Sequence, residues 1–229
     1  MVKNKFEQER KFTFLINKFY HLIFSEKFSK KINFNFDKRN RLDLIKHVIK
    51  KNDYKNYLEI GCHNNEVFDK IEIEKIGVDP ISGGNYRGTS DKFFKENLKK
   101  FDCIFIDGLH LEYQVDNDIK ECLNILSSNG FIVMHDCNPP TEFHQRENYE
   151  VNGNFPPWNG TVWKSFAKLR IKNVGLNLSC VDCDWGVGII KKDKQSNFKL
   201  SGNLDFDFLD KNRVNLLNLI SVINFIKSY

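Results

Sequence analysis

Two buried strands in residues 99–138 constrain the fold most, because each ends in an acid and an imidazole. Asp107 and His110 follow the first strand, and His135 and Asp136 follow the second. In a parallel sheet, the carboxyl ends of neighbouring strands meet at the edge where ligands bind. The sequence therefore predicts that these four side chains share one site.

The surrounding chain alternates between strand and helix patterns, which predicts parallel βαβ units in a doubly wound sheet. A final strand pair across a tight turn and a closing amphipathic helix follow. The predicted strands are 57–61, 75–79, 101–107, 131–136 and a pair within 175–192; the predicted helices are 41–51, 63–71, 89–100, 114–126, 161–173 and about 208–226.

Length and charge indicate one catalytic domain with a basic extension. The chain has 229 residues, of which 41% are hydrophobic, enough for one good core. Residues 1–55 hold 15 Lys and Arg against 6 Asp and Glu, whereas the remainder holds 20 against 24. We therefore expect a basic amphipathic helical extension over 1–40 and a mildly acidic domain over 41–229, with no nucleic-acid partner.

The extension contains a helical apolar stripe at 6–28, for which three interpretations stay open: packing on the core, a homodimer contact, or an anionic membrane surface. The sequence shows no signal peptide and no apolar run long enough to span a bilayer. We expect a cytoplasmic protein whose six cysteines are free thiols, Cys180 and Cys183 included.

A candidate cofactor motif lies at the end of the first strand. Glu59 and Gly61 stand where the chain turns, and Asp79 ends the second strand. An acid there suits a hydrogen bond to ribose hydroxyls, and a glycine lets the backbone approach a ligand. One glycine after an acid suits a ligand with an amino-acid group and a nucleoside, as in S-adenosylmethionine. The alternative is that Gly61 only forms a tight turn.

The acid and imidazole pairs allow two kinds of chemistry. Carboxylates can hold a hard cation such as Mg²⁺, and a histidine can take the proton of a hydroxyl. The alternative is that they are solvated polar residues at strand ends. The loop 137–160, which holds four prolines and two glycines, is predicted to be a lid over this site.

Seven segments together resemble a bacterial family of class I S-adenosylmethionine-dependent methyltransferases, often encoded with glycan, capsule or natural-product genes. The resemblance runs from about Arg41 to the C-terminus. The segments are YLEIG, IGVDPISGG, TSDKFF, FIDGLH, HDCNPP, WNGTVWK and DCDWGVGII. It implies a Rossmann-like fold with a mostly parallel seven-stranded sheet, helices on both faces and an antiparallel last strand.

More distantly, Asp107, His110 and the pair after the next strand are similar to metal-dependent sugar O-methyltransferases of macrolide pathways. That resemblance implies His110 as base, with Asp107 and Asp136 as Mg²⁺ ligands. His135 stands where those enzymes have a carboxylate, so it is a further candidate as catalytic residue or ligand. Thr161 also departs from the family pattern, which has aspartate there.

The expected function is therefore methyl transfer from S-adenosylmethionine to a hydroxyl of a sugar or glycan precursor, with Mg²⁺ assistance left open. Rival hypotheses are a non-sugar acceptor, or an inactive scaffold that uses the basic helix. The expected cofactor contacts are Glu59, Gly61, Asp79, Ser90, Asp91 and Asp107; the expected catalytic residues are Asp107, His110 and His135; the candidate metal ligands are Asp107, Asp136 and His135.

Overall fold

The computed structural model describes residues 19, 38–150, 155, 157–172, 175–193 and 198–229. Apart from Phe19, the predicted helix at 6–28 lies outside these residues, and so does nearly all of the predicted extension. Among the helices that are described, none combines the length and apolarity needed to cross a bilayer.

Eight strands form one sheet in the described part of the chain, in the order β3-β2-β1-β4-β5-β7-β6-β8. Only β7 among these runs antiparallel to its neighbours β5 and β6. The predicted Rossmann-like methyltransferase fold is confirmed, with one short strand more than the seven expected. The strands are β1 (Asn56–Ile60), β2 (Glu74–Asp79), β3 (Tyr86–Arg87), β4 (Phe101–Ile106), β5 (Leu126–Met134), β6 (Asn177–Val181), β7 (Val187–Lys191) and β8 (Leu219–Ile220).

Helices cover both faces of the sheet, because successive side chains of a buried strand point to opposite faces. Tyr57 of β1 packs in the cluster that contains Leu44 and Phe225, whereas its neighbour Leu58 packs in the cluster that contains Ile119 and Phe166. The helices are α1 (Arg41–Asn52), α2 (Ser90–Glu96), α3 (Glu112–Ile125), α4 (Val162–Lys172), α5 (Phe206–Leu217) and α6 (Val222–Ser228). Helices α1 and α6 lie on the first face, and α3, α4 and α5 on the second.

The predicted helix at 63–71 is wrong: turns and a short 3-10 segment at Phe68–Lys70 stand there. His63 and Asn65 have φ of 46° and 63°, which a right-handed helix does not allow. Hydrogen bonds to the end of β2 stabilise the turn: the backbone N–H groups of Cys62 and His63 both donate to the carboxylate of Asp79.

The predicted helix at 208–226 is two helices. Asn218 adopts the left-handed conformation, with φ of 47°, and ends α5. The two residues of β8 then pair with β6, and the hydroxyl of Ser221 accepts from the backbone N–H of Asn224 to begin α6. An asparagine at a helix C-terminus tolerates this conformation, and the continuous apolar pattern across the break conceals it.

Candidate active site

The carboxyl ends of β4 and β5 bring the predicted acid and imidazole pairs together. The two strands are parallel neighbours with Ile106 opposite Met134, so the residues that follow them emerge side by side. The ring of His110 lies between two carboxylates: Nε2 is 3.2 Å from Oδ1 of Asp107, and Nδ1 is 3.2 Å from Oδ2 of Asp136.

His135 approaches the same carboxylates from the other side. Its Nδ1 lies 3.3 Å from Oδ1 of Asp107 and 3.2 Å from Oδ2 of Asp136. Asp136 itself has a φ of 60°, a left-handed conformation that costs a non-glycine residue about 1–2 kcal/mol. Backbone strain of this kind is concentrated at functional sites.

Burial and charge act in opposite directions on this cluster. Burial disfavours the ionised carboxylate of Asp107, but the imidazoles of His135 and His110 hold the pKa of Asp107 well below its usual range. Burial likewise disfavours an imidazolium, but the carboxylates raise the pKa of both His110 and His135. A raised pKa makes the neutral imidazole of His110 a stronger proton acceptor.

Two residues of the cluster were missed by sequence reasoning. Arg41, the first residue of α1, places Nε 3.7 Å from Oδ2 of Asp107 and Nη1 3.0 Å from Oδ2 of Asp184. The backbone N–H of Arg41 also donates to Asp184, at 2.9 Å. No local pattern marks an arginine at a helix start. Asp184 does have such a signal, because it follows β6, whose carboxyl end lies at the same sheet edge.

Asp184 reaches the cluster through a strained turn. Asp184 and Trp185 have φ of 44° and 65°, and the turn is fastened to the segment after β5 by the bonds from Cys137 N to Gly186 O and from Asn138 N to Trp185 O. Nearby ionised groups, His135 first and then Arg41, outweigh burial and lower the pKa of Asp184.

The loop that follows β5, predicted to be a lid, is bonded directly to the cluster. The side-chain amide of Asn159 donates to Oδ1 of Asp136 at 2.7 Å, and the backbone N–H of Thr161 donates to the carbonyl of His110 at 2.8 Å. Gly160 lies so close that a Cβ there would be 2.1 Å from the His110 carbonyl oxygen. The loop thus helps to fix the position of His110.

An aromatic cluster extends from His110 toward the surface. The indole of Trp158 stacks on the His110 ring with centroids 5.0 Å apart, and Tyr149 lies 5.3 Å from Trp158 and 4.8 Å from Phe155. Tyr149 and Phe155 are exposed. Trp163 of α4 does not belong to this cluster, because it lies fully buried in the core.

Gly61 and Asp79 lie together at the adjoining strand ends. Gly61 has a φ of 87°, and a Cβ there would be 2.2 Å from the Asp107 carbonyl oxygen, so only glycine permits β1 and β4 to end this closely. The Asp79 carboxylate accepts from the backbone N–H groups of Cys62, His63, Ile81 and Ser82, at 2.8 to 3.1 Å. Asp79 therefore fixes both loops around the predicted ribose position.

Glu59 is buried, and none of the cationic side chains that the structure describes forms an ion pair with it. The Tyr57 hydroxyl donates to Oε2 of Glu59 at 2.6 Å. Burial raises the pKa of Glu59 to about 8. Such a carboxyl group suits the ammonium of an amino-acid ligand, which would supply the missing positive charge.

Ser90 and Asp91 begin α2 and bond to α3. The Ser90 hydroxyl donates to Oδ1 of Asp118 at 2.7 Å, and Asp91 accepts from the amides of Gln114 and Asn117. Asp118 was not anticipated from the sequence; burial raises its pKa to about 6. The side chains of Ser90 and Asp91, which we expect to contact the cofactor, are thus held in place by bonds to α3.

Part of this chain is similar to a known protein family. Residues 35–137, which include β1, β2, β4 and the acid and imidazole pairs, match a family model described as a methyltransferase domain. The matched segment, 103 of the 229 residues, is similar to a methyltransferase domain. No curated protein matches the sequence significantly.

The solved structures that are similar to this chain share little sequence identity with it. The SAH-bound methyltransferase PaMTH1 of Podospora anserina shares 16% identity, with a TM-score of 0.49, over 74% of this chain and 86% of its own. An O-methyltransferase from Bacillus cereus in complex with SAH shares 12%, with a TM-score of 0.43, over 74% and 88%. TomG of Streptomyces achromogenes, in complex with SAM, shares 8%, with a TM-score of 0.48, over 82% and 97%.

The predicted enzyme class, an S-adenosylmethionine-dependent methyltransferase, is confirmed. Five of the six cysteines, all except Cys183, are buried.

The contacts of the Asp107 and Asp136 carboxylates argue against the predicted Mg²⁺ site. Ligand atoms of Asp107, His110 and Asp136 lie within 4.8 Å of one another, close enough to share an ion. However, every oxygen of the two carboxylates already lies within 3.7 Å of a protein nitrogen, from His110, His135, Arg41 or Asn159. Mg²⁺ prefers a largely oxygen shell. The residues as arranged do not fit that ion.

Proposed function

We propose that this methyltransferase transfers the methyl group of S-adenosylmethionine to a hydroxyl of a sugar or glycan precursor, with His110 as the general base. The observation that carries the proposal is the His110 ring, which lies between two carboxylates and under the Trp158 indole. A base at the carboxyl end of β4 adjoins the Gly61 turn, so an acceptor hydroxyl there would face both groups.

The cofactor side is supported by Glu59, Gly61 and Asp79. When bound, S-adenosylmethionine supplies an electrophilic methyl group on a sulfonium. Glu59 would bind its ammonium, and the loops held by Asp79 would surround its ribose. Catalysis then consists mainly of aligning the acceptor oxygen with the methyl group and the sulfur.

His110 handles the proton of the acceptor. Its neutral imidazole accepts the proton as the oxygen becomes nucleophilic, and Asp107 and Asp136 stabilise the resulting imidazolium. His135 contacts the same two carboxylates, so it orients them and is the second candidate for a catalytic role. No step in this mechanism requires a metal ion.

The acceptor class is supported by the aromatic cluster of Tyr149, Phe155 and Trp158. The face of an aromatic ring packs well on the apolar face of a pyranose. A panel of sugars, nucleotide sugars, phenols and phosphorylated metabolites, assayed with labelled S-adenosylmethionine, tests this choice. Methylation of phenols alone would overturn the sugar assignment and leave the base assignment intact.

The decisive experiment compares the wild type with His110→Ala. Loss of a general base should lower turnover by about 10²–10⁴-fold. Affinity for S-adenosylhomocysteine, measured by calorimetry, should not change, because His110 lies on the acceptor side. Wild-type turnover in His110→Ala would contradict the assignment. Absence of S-adenosylhomocysteine binding in the wild type would favour a scaffold protein instead.

A further inference from the structure

Arg41 gives this active site a fixed positive charge of its own. Its guanidinium lies over the Asp107 carboxylate, with Nε 3.7 Å from Oδ2, and contacts Asp184 at 3.0 and 3.3 Å through Nη1. Nη1 is also 3.5 Å from Nε2 of His135. Arginine remains charged at every pH at which a protein is folded.

The position of Arg41 is fixed from three directions. Its backbone N–H donates to Asp184, its side chain contacts both oxygens of that carboxylate, and Nη2 lies 3.3 Å from Glu66. Asn40 caps α1 immediately before it, by accepting from the backbone N–H groups of Leu42 and Asp43. These contacts give the guanidinium a fixed position within the site, unlike a mobile side chain at the surface.

We propose that Arg41 takes the place of a divalent cation beside Asp107, so that this methyltransferase works without a bound metal ion. An ion on Asp107 would carry two positive charges within a few ångströms of the guanidinium, in a largely buried cluster where charges are poorly screened. The Asp136 carboxylate offers no alternative, because Asn159 bonds to Oδ1 while His110 and His135 adjoin Oδ2. The inference concerns the site of the proposed function, but it is tested by ion binding.

Manganese provides the probe, because free Mn²⁺ is measured by its electron paramagnetic resonance signal. The wild type should show no stoichiometric Mn²⁺ binding and no shift in melting temperature with Mn²⁺ or Mg²⁺. Arg41→Gln, which removes the charge and exposes Asp107, should bind one Mn²⁺ about tenfold more tightly or better. Arg41→Gln with Asp107→Asn should lose that new site.

Two further variants control for charge and for folding. Lys46→Gln removes an equal charge from an exposed position on the same helix and should leave Mn²⁺ binding at the wild-type level. Arg41→Lys keeps the charge and should also exclude the ion.

Stoichiometric binding to the wild type that Asp107→Asn abolishes would overturn the proposal, and so would an Arg41→Gln protein with no gain in affinity. The wild-type measurement stands even if a variant fails to fold. S-adenosylhomocysteine binding in metal-free buffer, measured on the same protein, reports separately on the proposed function.

Discussion

The indole of Trp158 stacks on the imidazole of His110, with ring centroids 5.0 Å apart and planes 23° from parallel. The indole N–H donates to the carbonyl of Arg146, so the ring is held from both its face and its edge. Trp158→Ala should lower kcat/KM for the acceptor roughly fivefold or more, because a stacked aromatic pair contributes about 1 kcal/mol beyond its buried area. Trp158→Phe should retain most activity. Equal losses of S-adenosylhomocysteine affinity in both variants would point to general unfolding instead.

Gly160→Ala tests the contact between the loop and His110. The substitution adds about 1–2 kcal/mol of left-handed strain and, because its Cβ would overlap the His110 carbonyl, roughly 1–3 kcal/mol of overpacking. Gly175→Ala is the matched control, since Gly175 has a φ of 72° but no atom of the described residues within 4 Å of the added Cβ. Urea unfolding should show the larger loss for Gly160→Ala. Equal losses would mean that the loop moves away from His110 at no cost.

Glu59 should make stability depend on pH. The pKa of Glu59 is about 8 in the folded protein and about 4.3 in the unfolded chain, so the folded state binds its proton more tightly. Its contribution to the free energy of unfolding is greatest below pH 4 and is lost as pH rises from about 4.3 to about 8. Glu59→Gln should remove this decline, so its stability relative to wild type should be higher at pH 8.5 than at pH 5.5. If urea titrations give the same difference in free energy of unfolding between Glu59→Gln and wild type at both pH values, the raised pKa assigned to Glu59 is wrong.

Asp79→Asn tests the loops around the predicted ribose position. Burial opposes ionisation of Asp79, but four backbone N–H donors outweigh it and lower the pKa. The amide keeps one acceptor oxygen and loses the charge, so the free energy of unfolding should fall by about 2 kcal/mol or more at pH 7. S-adenosylhomocysteine affinity should fall with it. Asp69→Asn, at an exposed position in the same turn region, should change neither quantity.

We propose that residues 1–38 form an extension separable from catalysis. Deleting them retains Asn40, which caps α1, and Arg41, which contacts Asp107. The truncated protein should therefore keep the melting temperature and S-adenosylhomocysteine affinity of the full chain. A lower apparent mass in sedimentation would assign the extension to self-association. Loss of cofactor binding would refute the separation.

Local sequence pattern was sufficient for the longer strands of the sheet and for the acid and imidazole pairs, but not for the short strands β3 and β8. Buried strands such as 101–106 are short apolar runs, and the residues after them must emerge at the carboxyl edge of a parallel sheet. The helices were predicted less accurately than the strands. The turn at 63–71 depends on the Asp79 carboxylate, which is remote in sequence, and the break at Asn218 depends on pairing between β8 and β6.

The sequence by itself determined that two acid and imidazole pairs would lie at one sheet edge, because strand period and βα alternation are local properties of the chain. Only the tertiary structure decided what surrounds them. Arg41 precedes Asp107 by 66 positions and Asp184 follows it by 77, and no local pattern relates residues that far apart. The packing of α1 on the sheet and the turn between β6 and β7 bring them together. That convergence places a guanidinium beside Asp107, where the sequence had suggested a metal ion.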